Sequence, residues 1–425
     1  MADPALVKVI DFWQKNSEDQ GLFPRSLVDV IDTKTKEIVD IVGPRRSGKS
    51  SVMKLLIQKL KPKGNCLYIN FEDPYFLEHN KPTVIDEIIE AHAAYFKPSV
   101  SYIFFDEIQN VASWEKAIRK LRDRGYKIFL SGSSSKLLSS EFASLLTGRH
   151  ISYQLLPLSF QEYLMFRNIP LPDKTQVLLQ DTILQKYLEE FLNIGGFPAV
   201  VLSNNQELLK QYFTDIIQRD IVGRYEVRQP HTLEKMGAYL IGNSAKIVSL
   251  LSLQKLYEIS YDLASTYFAY FKEAFLLFEM PQFSHSLKTQ QKALKKIYPI
   301  DTGLANAVSF RFSQERGRML EAIIFMELVR SKQEVYYYKT GRGKKVDFLI
   351  KGKSANQLIQ VTWDMSEEKT KQREIASLLE AMKEQKLNHG LVLTFNSTER
   401  LNFGNKHISI RPVYQWLLKQ IAILT

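Results

Sequence analysis

Residues 43–51 read Gly43-Pro44-Arg45-Arg46-Ser47-Gly48-Lys49-Ser50-Ser51. Two glycines separated by four residues and followed by Lys and Ser are the pattern of a phosphate-binding loop (P-loop), whose backbone N–H groups turn inward around the phosphates of a nucleotide. Lys49 is expected to reach the β- and γ-phosphates, and the Ser50 hydroxyl is placed to hold Mg²⁺. An apolar run over 37–42 precedes the loop and a helical run follows it, as such a loop requires. All nine residues are therefore predicted to bind a nucleotide, ATP, with Mg²⁺.

A second apolar run ends in two carboxylates and reads Tyr102-Ile103-Phe104-Phe105-Asp106-Glu107. Burying charge at the end of an apolar strand is costly unless the charge is used. In enzymes with a P-loop, the first carboxylate organises Mg²⁺ and the second can polarise the attacking water as a general base. Asp106 is therefore predicted to lie in the metal site and Glu107 to be catalytic, as in ATP-hydrolysing enzymes rather than small GTPases.

Two further positions are candidates for sensing or completing the nucleotide site. The strand expected at 127–131 is followed by small hydroxyl residues, of which Ser133 or Ser134 could contact the γ-phosphate, and Ser134 is the catalytic candidate. The alternative is a serine-rich loop that caps the next helix. Arg149 lies in a turn before the last expected strand, where an arginine finger could reach the nucleotide of a neighbouring subunit. A solvated surface charge is the alternative for Arg149.

Apolar strands and helices alternate between residues 37 and 155, which predicts a parallel sheet covered by helices. The strands are expected at 37–42, 66–71, 102–106, 127–131 and 150–155. The fold class is thus predicted to be α/β, a P-loop NTPase sheet followed by a helical lid.

Several strings in the chain resemble those of a prokaryotic AAA-superfamily ATPase family: GPRRSGKSS, FFDEIQN, LSGSSSKLL, LTGR followed by PLSFQEYL, GGFPAV and QRDIVGRYEVR. The paired arginines within the loop and the DEIQ string make this resemblance specific, and it covers essentially the whole chain. It implies an ATPase core, a winged helix and a fold like that of PD-(D/E)XK nucleases, without a settled biological role. The domains are placed, with the lid, at 1–160 (ATPase core), 161–228 (helical lid), 229–312 (winged helix) and 313–425 (nuclease-like domain).

The charge of the chain is concentrated in its C-terminal half. Residues 229–425 hold 28 Lys and Arg against 18 Asp and Glu, which is +10 of the total net charge of +11. A soluble basic surface is one explanation. The other is a polyanion partner, most simply nucleic acid.

The expected winged helix carries candidate DNA contacts. Ser265 and Thr266 lie near the start of its third helical run, where polar groups could meet DNA. Four lysines of a basic wing suit contact with phosphates: Lys288, Lys292, Lys295 and Lys296. The alternative is a winged helix that serves only in protein packing.

In PD-(D/E)XK nucleases, carboxylates from a helix and from two strands hold Mg²⁺, and a lysine stabilises the reacting groups. The matching positions here are Glu321, Asp347 and Gln360, with Thr362 in place of the lysine. One ligand charge and the catalytic cation are therefore missing, and the site is predicted to be vestigial.

Lys369 or Lys371 could supply the missing cation of this site by migration. The tail can still bind DNA through its charge, because residues 313–425 hold 19 basic against 12 acidic residues. Its candidate DNA contacts form a cluster beside Asp347: Arg342, Lys344 and Lys345.

Together these features predict an ATP-hydrolysing enzyme that binds and remodels or translocates on duplex or branched DNA, as a homo-oligomer such as a hexameric ring. The alternatives are a nucleotide-gated switch that acts through protein partners and an ATP-dependent DNA nuclease. No run approaches about 18 consecutive apolar residues, so no membrane span is expected. The single cysteine, Cys66, fits a reducing cytoplasm.

Overall fold

The apolar run before the P-loop forms a strand, β1 (Ile38–Val42), that is buried along its whole length. Four further strands complete its sheet: β2 (Asn65–Asn70), β3 (Val100–Asp106), β4 (Lys127–Gly132) and β5 (His150–Gln154). They pair in parallel in the order β2-β3-β4-β1-β5. The predicted parallel sheet is confirmed, and each strand end lies within two residues of its expected position.

The computed structural model describes residues 3–18, 21–63, 65–96, 99–134, 149–179, 181–309 and 316–418. The chain divides into two units, Met1–Leu156 and Pro157–Thr425. The division falls four residues before the predicted end of the ATPase core at 160. None of the helices in these described ranges is long and apolar enough to cross a membrane.

Helices connect the strands of the first unit: α1 (Pro4–Asn16), α2 (Leu27–Val30), α3 (Lys49–Leu60), α4 (Tyr75–Glu78), α5 (Thr83–Tyr95) and α6 (Trp114–Asp123). Helix α3 buries Val52, Leu56 and Ile57 in a core that also contains Val39 and Phe129 of the sheet. This spacing places the apolar residues on one helix face. The packing fixes α3, and hence the P-loop that precedes it, on the sheet.

The second unit begins with helices: α7 (Phe160–Phe166), α8 (Lys174–Leu179), α9 (Asp181–Ile194), α10 (Pro198–Ser203), α11 (Glu207–Asp215) and a π-helical turn (Ile216–Val222). Between α9 and α10, Gly195 has a positive φ of 75°, and a Cβ there would lie 2.0 Å from the Asp301 carboxylate. Asp301 accepts hydrogen bonds from the N–H groups of Gly196 (2.6 Å) and Leu304 (2.8 Å). The GGFP string is thus fastened to a segment about a hundred residues later.

A small antiparallel sheet follows, in the order β6-β8-β7. Its elements and their helices are α12 (Pro230–Gly242), β6 (Lys246–Val248), α13 (Leu250–Tyr257), α14 (Tyr261–Glu273), β7 (Leu277–Met280), α15 (Leu287–Lys292), β8 (Lys295–Pro299) and α16 (Thr302–Val308). Short strands therefore follow α12 and α14, and β7 and β8 pair across the segment that contains α15.

The last part of the unit is a mixed sheet in the order β13-β14-β12-β11-β10-β9. Its elements are α17 (Arg316–Arg330), β9 (Val335–Lys339), β10 (Lys345–Ile350), β11 (Gln357–Val361), α18 (Glu368–Glu384), β12 (His389–Thr394), β13 (Glu399–Phe403), β14 (Lys406–Pro412) and α19 (Val413–Leu417). Helix α18 buries Leu378 and Met382 in one core with Val346 and Val392 of the strands.

Candidate nucleotide site

The P-loop joins β1 to α3 at the carboxyl edge of the parallel sheet. It turns through Arg46 (φ 68°) and Gly48 (φ 95°), and the left-handed backbone at Gly48 immediately precedes α3. The N–H groups and dipole of the helix N-terminus favour an anion there. Gly43 is needed for a different reason, because a Cβ at this position would lie 2.0 Å from the carbonyl oxygen of Leu155.

Lys49 is buried inside the loop, with 5% of its surface exposed. Its ammonium donates to the carbonyl oxygens of Gly43 and Pro44 at 3.2 Å each and lies 3.2 Å from Oε1 of Glu107. The Ser47 hydroxyl is also buried and has no hydrogen-bond partner among the described residues. A bound phosphate would satisfy this hydroxyl and compete with Glu107 for the ammonium, so the residues present fit a nucleotide.

Asp106 is fully buried at the end of β3 and accepts three side-chain hydrogen bonds. Tyr68 donates to its Oδ2 at 2.8 Å, and Ser131 and Ser50 donate as well. Burial, and then the charge of neighbouring Glu107, raise the pKa of Asp106, while these hydrogen bonds oppose the shift. The contact between Ser50 and Asp106 brings together two oxygen ligands of the kind that Mg²⁺ prefers.

Glu107 follows β3 with a left-handed backbone (φ 53°), a conformation that is costly for a residue with a side chain. Its N–H donates to the Ser131 hydroxyl at 3.0 Å. Burial opposes the ionisation of Glu107, but the nearby Lys49 ammonium and a hydrogen bond from Gln109 lower its pKa overall. The side chain is therefore held as a carboxylate, the form that a general base requires.

Ser131 is a site residue that the sequence analysis missed. It is the fifth residue of β4 and contacts both Asp106 and the backbone of Glu107, whereas Ser134 follows two residues beyond the end of the strand. Ser133 and Ser134 are both buried, and the sensor role of Ser134 stays a prediction. A hydroxyl at the carboxyl end of an otherwise apolar strand was the signal for Ser131.

Two arginines fasten the loop. Arg25 is 3% exposed and donates to the carbonyl oxygens of Ser47 (2.7 Å) and Leu156 (2.8 Å), which ties the loop to the chain just after β5. Arg45 lies 2.7 Å from the carboxylate of Glu72. No sequence pattern indicates this role for Arg25, because these two partners are backbone groups that are 22 and 131 residues away.

Arg149 lies at the opposite edge of the sheet. Its carbonyl accepts from the N–H of Ile38, and its half-exposed guanidinium is 3.4 Å from Asp123. At about 3.3 Å per strand residue, β1 separates this edge from the P-loop by about 17 Å. The position excludes Arg149 from the nucleotide site of its own chain. Four other basic side chains line the same cleft: Lys116, Arg119, Lys120 and Arg124.

The assignment of Lys296 to a DNA-binding wing was wrong. The side chain lies on β8 with 13% exposure, where its ammonium contacts Glu321 and lies 3.1 Å from Oδ1 of Asp347. Lys295, the preceding residue, lies 3.7 Å from Glu279. A lysine buried between two carboxylates cannot contact a phosphate backbone.

The other residues predicted to bind DNA keep at least partial exposure. Lys288 and Lys292 are exposed on α15, Thr266 is exposed on α14 and Ser265 is half-buried beside it. Their DNA contacts stay predictions.

The basic cluster of the tail occupies the turn between β9 and β10 and the first residue of β10. Arg342, Lys344 and Lys345 are all exposed there, and the Lys344 ammonium is 3.5 Å from Glu380. The cluster adjoins Asp347 in sequence, but its three side chains are exposed whereas that of Asp347 is mostly buried, so it is a separate basic surface.

Gln360 lies on β11 beside Asp347 and accepts its backbone N–H at 3.2 Å. Lys371 lies 2.6 Å from Glu399 and Lys369 is exposed. The suggestion that Lys369 or Lys371 supplies the cation beside Glu321 and Asp347 was therefore wrong. Lys296 of β8 supplies it.

Comparisons with known protein families identify an AAA domain that covers most of the first unit. Residues 35–164 match the family model of an AAA domain. Residues 185–315 and 316–416 match two domains of unknown function, DUF8612 and DUF4143. Among solved structures, AMPPCP-bound DnaA from Aquifex aeolicus (13% identity, TM-score 0.26) covers 58% of this chain and 86% of its own. The alignment with Cdc6p from Pyrobaculum aerophilum (13% identity, TM-score 0.26) covers 72% of this chain and 92% of Cdc6p. TM-scores of this size do not establish a shared overall fold.

Two relatives match over most of their length. Uncharacterized protein MJ1544 of Methanocaldococcus jannaschii is 35% identical over 397 residues, which are 89% of this chain and 87% of that protein. An uncharacterized protein of Haemophilus influenzae is 28% identical over 356 residues, which are 80% of this chain and 86% of that protein. The chain therefore carries an AAA domain and belongs to the same protein family as MJ1544 of Methanocaldococcus jannaschii.

Proposed function

We propose that the chain hydrolyses ATP with Mg²⁺, with Lys49 binding phosphate and Glu107 as the general base. The observation that carries this proposal is the buried contact of 3.2 Å between the Lys49 ammonium and the Glu107 carboxylate beside the P-loop. Burying an ion pair costs desolvation energy that packing alone does not require. A site that must bind phosphate and activate water needs both charges.

The same contact sets the order of events. A γ-phosphate that engages Lys49 draws the ammonium away from Glu107, which leaves that carboxylate free to accept a proton from water. Ser50 and Asp106 would hold Mg²⁺, which neutralises charge on the β- and γ-phosphate oxygens when bound. Ser131 donates to the Asp106 carboxylate and accepts the backbone N–H of Glu107, and so holds the two neighbouring residues in place.

We propose further that a homo-oligomer, such as a ring, completes the site. Arg149 is about 17 Å from the P-loop of its own chain, so a catalytic role for its charge requires a nucleotide held by a second copy. The cleft that it shares with Lys116, Arg119 and Arg124 is strongly basic. An arginine supplied by a neighbour stabilises the charge of the transferring phosphoryl group.

DNA is the proposed partner of the C-terminal half. The helices α12–α14 with strands β6–β8 have the element order of a winged helix, and we take them as one. Exposed basic residues on this half are available for phosphate contact: Lys288, Lys292, Arg342 and Lys345. Residues 229–425 carry a net charge of +10, which favours a polyanion.

One observation favours the second candidate, a nucleotide-gated switch that acts on a protein partner. Lys296 is buried, and Lys295 and Lys272 both pair with Glu279. The wing therefore presents less positive charge than its sequence predicts.

The experiment that tests these proposals measures phosphate release with no DNA, duplex DNA and forked DNA, at several salt concentrations. A DNA ligand predicts stimulated turnover and an affinity that falls steeply with salt. Both effects should weaken in Lys288→Glu/Lys292→Glu and persist in a matched double charge reversal of the first unit, Lys34→Glu/Lys36→Glu, whose lysines are both exposed. DNA-independent turnover with a nucleotide-dependent change in mass would favour the switch. No phosphate release under any condition would refute hydrolysis.

A further inference from the structure

Two carboxylates of the second unit share one lysine. Glu321 lies on α17 and Asp347 on β10, and the Lys296 ammonium contacts both. The side chains are 9%, 15% and 13% exposed, respectively. The Tyr298 hydroxyl donates to Glu321 Oε1 at 2.5 Å, and Asp347 Oδ2 accepts from the Val361 N–H at 3.0 Å. We call this group the Lys296 cluster.

The residues of the cluster do not fit the Mg²⁺ that a nuclease-like site would hold. The ammonium occupies the position from which a bridging cation would contact Glu321 and Asp347. A second cation within about 4 Å of it would meet strong repulsion at low dielectric. Among the described residues, no group of three or more His, Cys, Asp or Glu is arranged to hold a metal ion.

The third ligand position is also committed to another role. Gln360 accepts the backbone N–H of Asp347 with Oε1 and donates through Nε2 to Glu374 at 2.6 Å. An amide can do both because it carries one acceptor and one donor group. A glutamate there would set two carboxylates at hydrogen-bond distance, so the surroundings of Gln360 favour the amide over a metal ligand.

We propose that Lys296 is the resident cation of this site, an ammonium in place of a divalent metal. The lysine comes from β8, outside the mixed sheet that supplies Asp347, and its two ion pairs tie β8 to α17 and β10. The site excludes divalent metal as long as Lys296 is present. It becomes a divalent-metal site when the lysine is shortened to alanine, because Glu321 and Asp347 are then left without a cation.

The test uses the full-length, nucleotide-free protein and Mn²⁺ as the probe, with melting temperatures compared in EDTA and in Mn²⁺. Lys296→Ala is expected to melt below the wild type in EDTA and to gain about 5–10 °C at saturating Mn²⁺. The gain should vanish in Lys296→Ala/Asp347→Asn. Lys295→Ala, the matched control on the same strand, should behave as the wild type does.

Wild-type protein supplies a second arm that does not depend on the folding of the alanine variant. Bound Mn²⁺ is counted by electron paramagnetic resonance in the wild type and in Asp347→Asn, so that binding at the P-loop cancels. Equal numbers support exclusion of metal by Lys296. One additional Mn²⁺ in the wild type would overturn the proposal, and so would a folded Lys296→Ala that gains no Mn²⁺-dependent stability.

Discussion

Replacement of Arg25 by methionine should loosen the P-loop. The guanidinium is 3% exposed and donates to two backbone carbonyls, of Ser47 at 2.7 Å and of Leu156 at 2.8 Å. A hydrogen bond from a charged donor contributes about 1.5–3 kcal/mol, and a buried carbonyl that loses its partner bears a desolvation cost. Arg25→Met should therefore destabilise the first unit by about 3–6 kcal/mol. Because Ser47 belongs to the loop, the Kd for nucleotide should rise at least about tenfold, which corresponds to about 1.4 kcal/mol.

The assay for this prediction pairs thermal unfolding of the nucleotide-free protein with calorimetric titration of a non-hydrolysable ATP analogue. Arg228→Met is the matched control, since Arg228 is exposed and outside every proposed site, and surface substitutions usually stay within about 0.5 kcal/mol. Arg25→Lys keeps the charge but cannot span both carbonyls, so it should fall between the two. Wild-type stability together with wild-type affinity in Arg25→Met would refute the role of this arginine.

Two other substitutions have defined outcomes. Arg149→Ala should lower ATP turnover by about 10³-fold or more. Mixing this variant with Glu107→Gln should restore activity, because a mixed oligomer pairs an intact Glu107 of one subunit with an intact Arg149 of its neighbour. No recovery on mixing would contradict a role in trans. Burial raises the pKa of Asp301 to about 6, while N–H donors such as Gly196 oppose the shift. Asp301 thus keeps its proton to higher pH in the native state than in the unfolded chain. The free energy of unfolding should fall by up to about 3 kcal/mol between pH 4 and 6 and then level off. Chemical unfolding across this range should show a smaller decline in Asp301→Asn, and identical pH profiles for the two proteins would contradict this role of Asp301.

Local sequence patterns predicted the first unit well, because most of its candidate functional residues lie in short contiguous segments. The P-loop, the strand that ends in Asp106 and Glu107, and the strand–helix alternation each occupy one short stretch. The serine-rich loop after β4 is a more conspicuous pattern than the single hydroxyl of Ser131, so the sequence favours Ser134. Arg25 has no local signal, since the acceptors described for it on Ser47 and Leu156 are backbone carbonyls, which any residue type carries.

The second unit shows that counting charges along a sequence is not enough to predict an exposed basic surface. Lys295 and Lys296 are adjacent in a basic segment that reads as an exposed wing. Side chains of successive strand residues point to opposite faces of the sheet. Lys295 and Lys296 of β8 therefore cannot both lie on the same face. Alternation could therefore have indicated an inward lysine, whereas its partners Glu321 and Asp347 are set by tertiary packing.

The measurement that tests the central claim most directly is single-turnover ATP hydrolysis by the wild type and by Glu107→Gln, with analogue binding measured on the same samples. Hydrolysis by the wild type should require Mg²⁺. Glu107→Gln should bind nucleotide at least as tightly, because its amide no longer competes for the Lys49 ammonium, and should lose about 10²–10⁴ in rate, the usual contribution of a general base. Wild-type hydrolysis by Glu107→Gln, or no hydrolysis by a wild-type protein that binds nucleotide, would contradict the account.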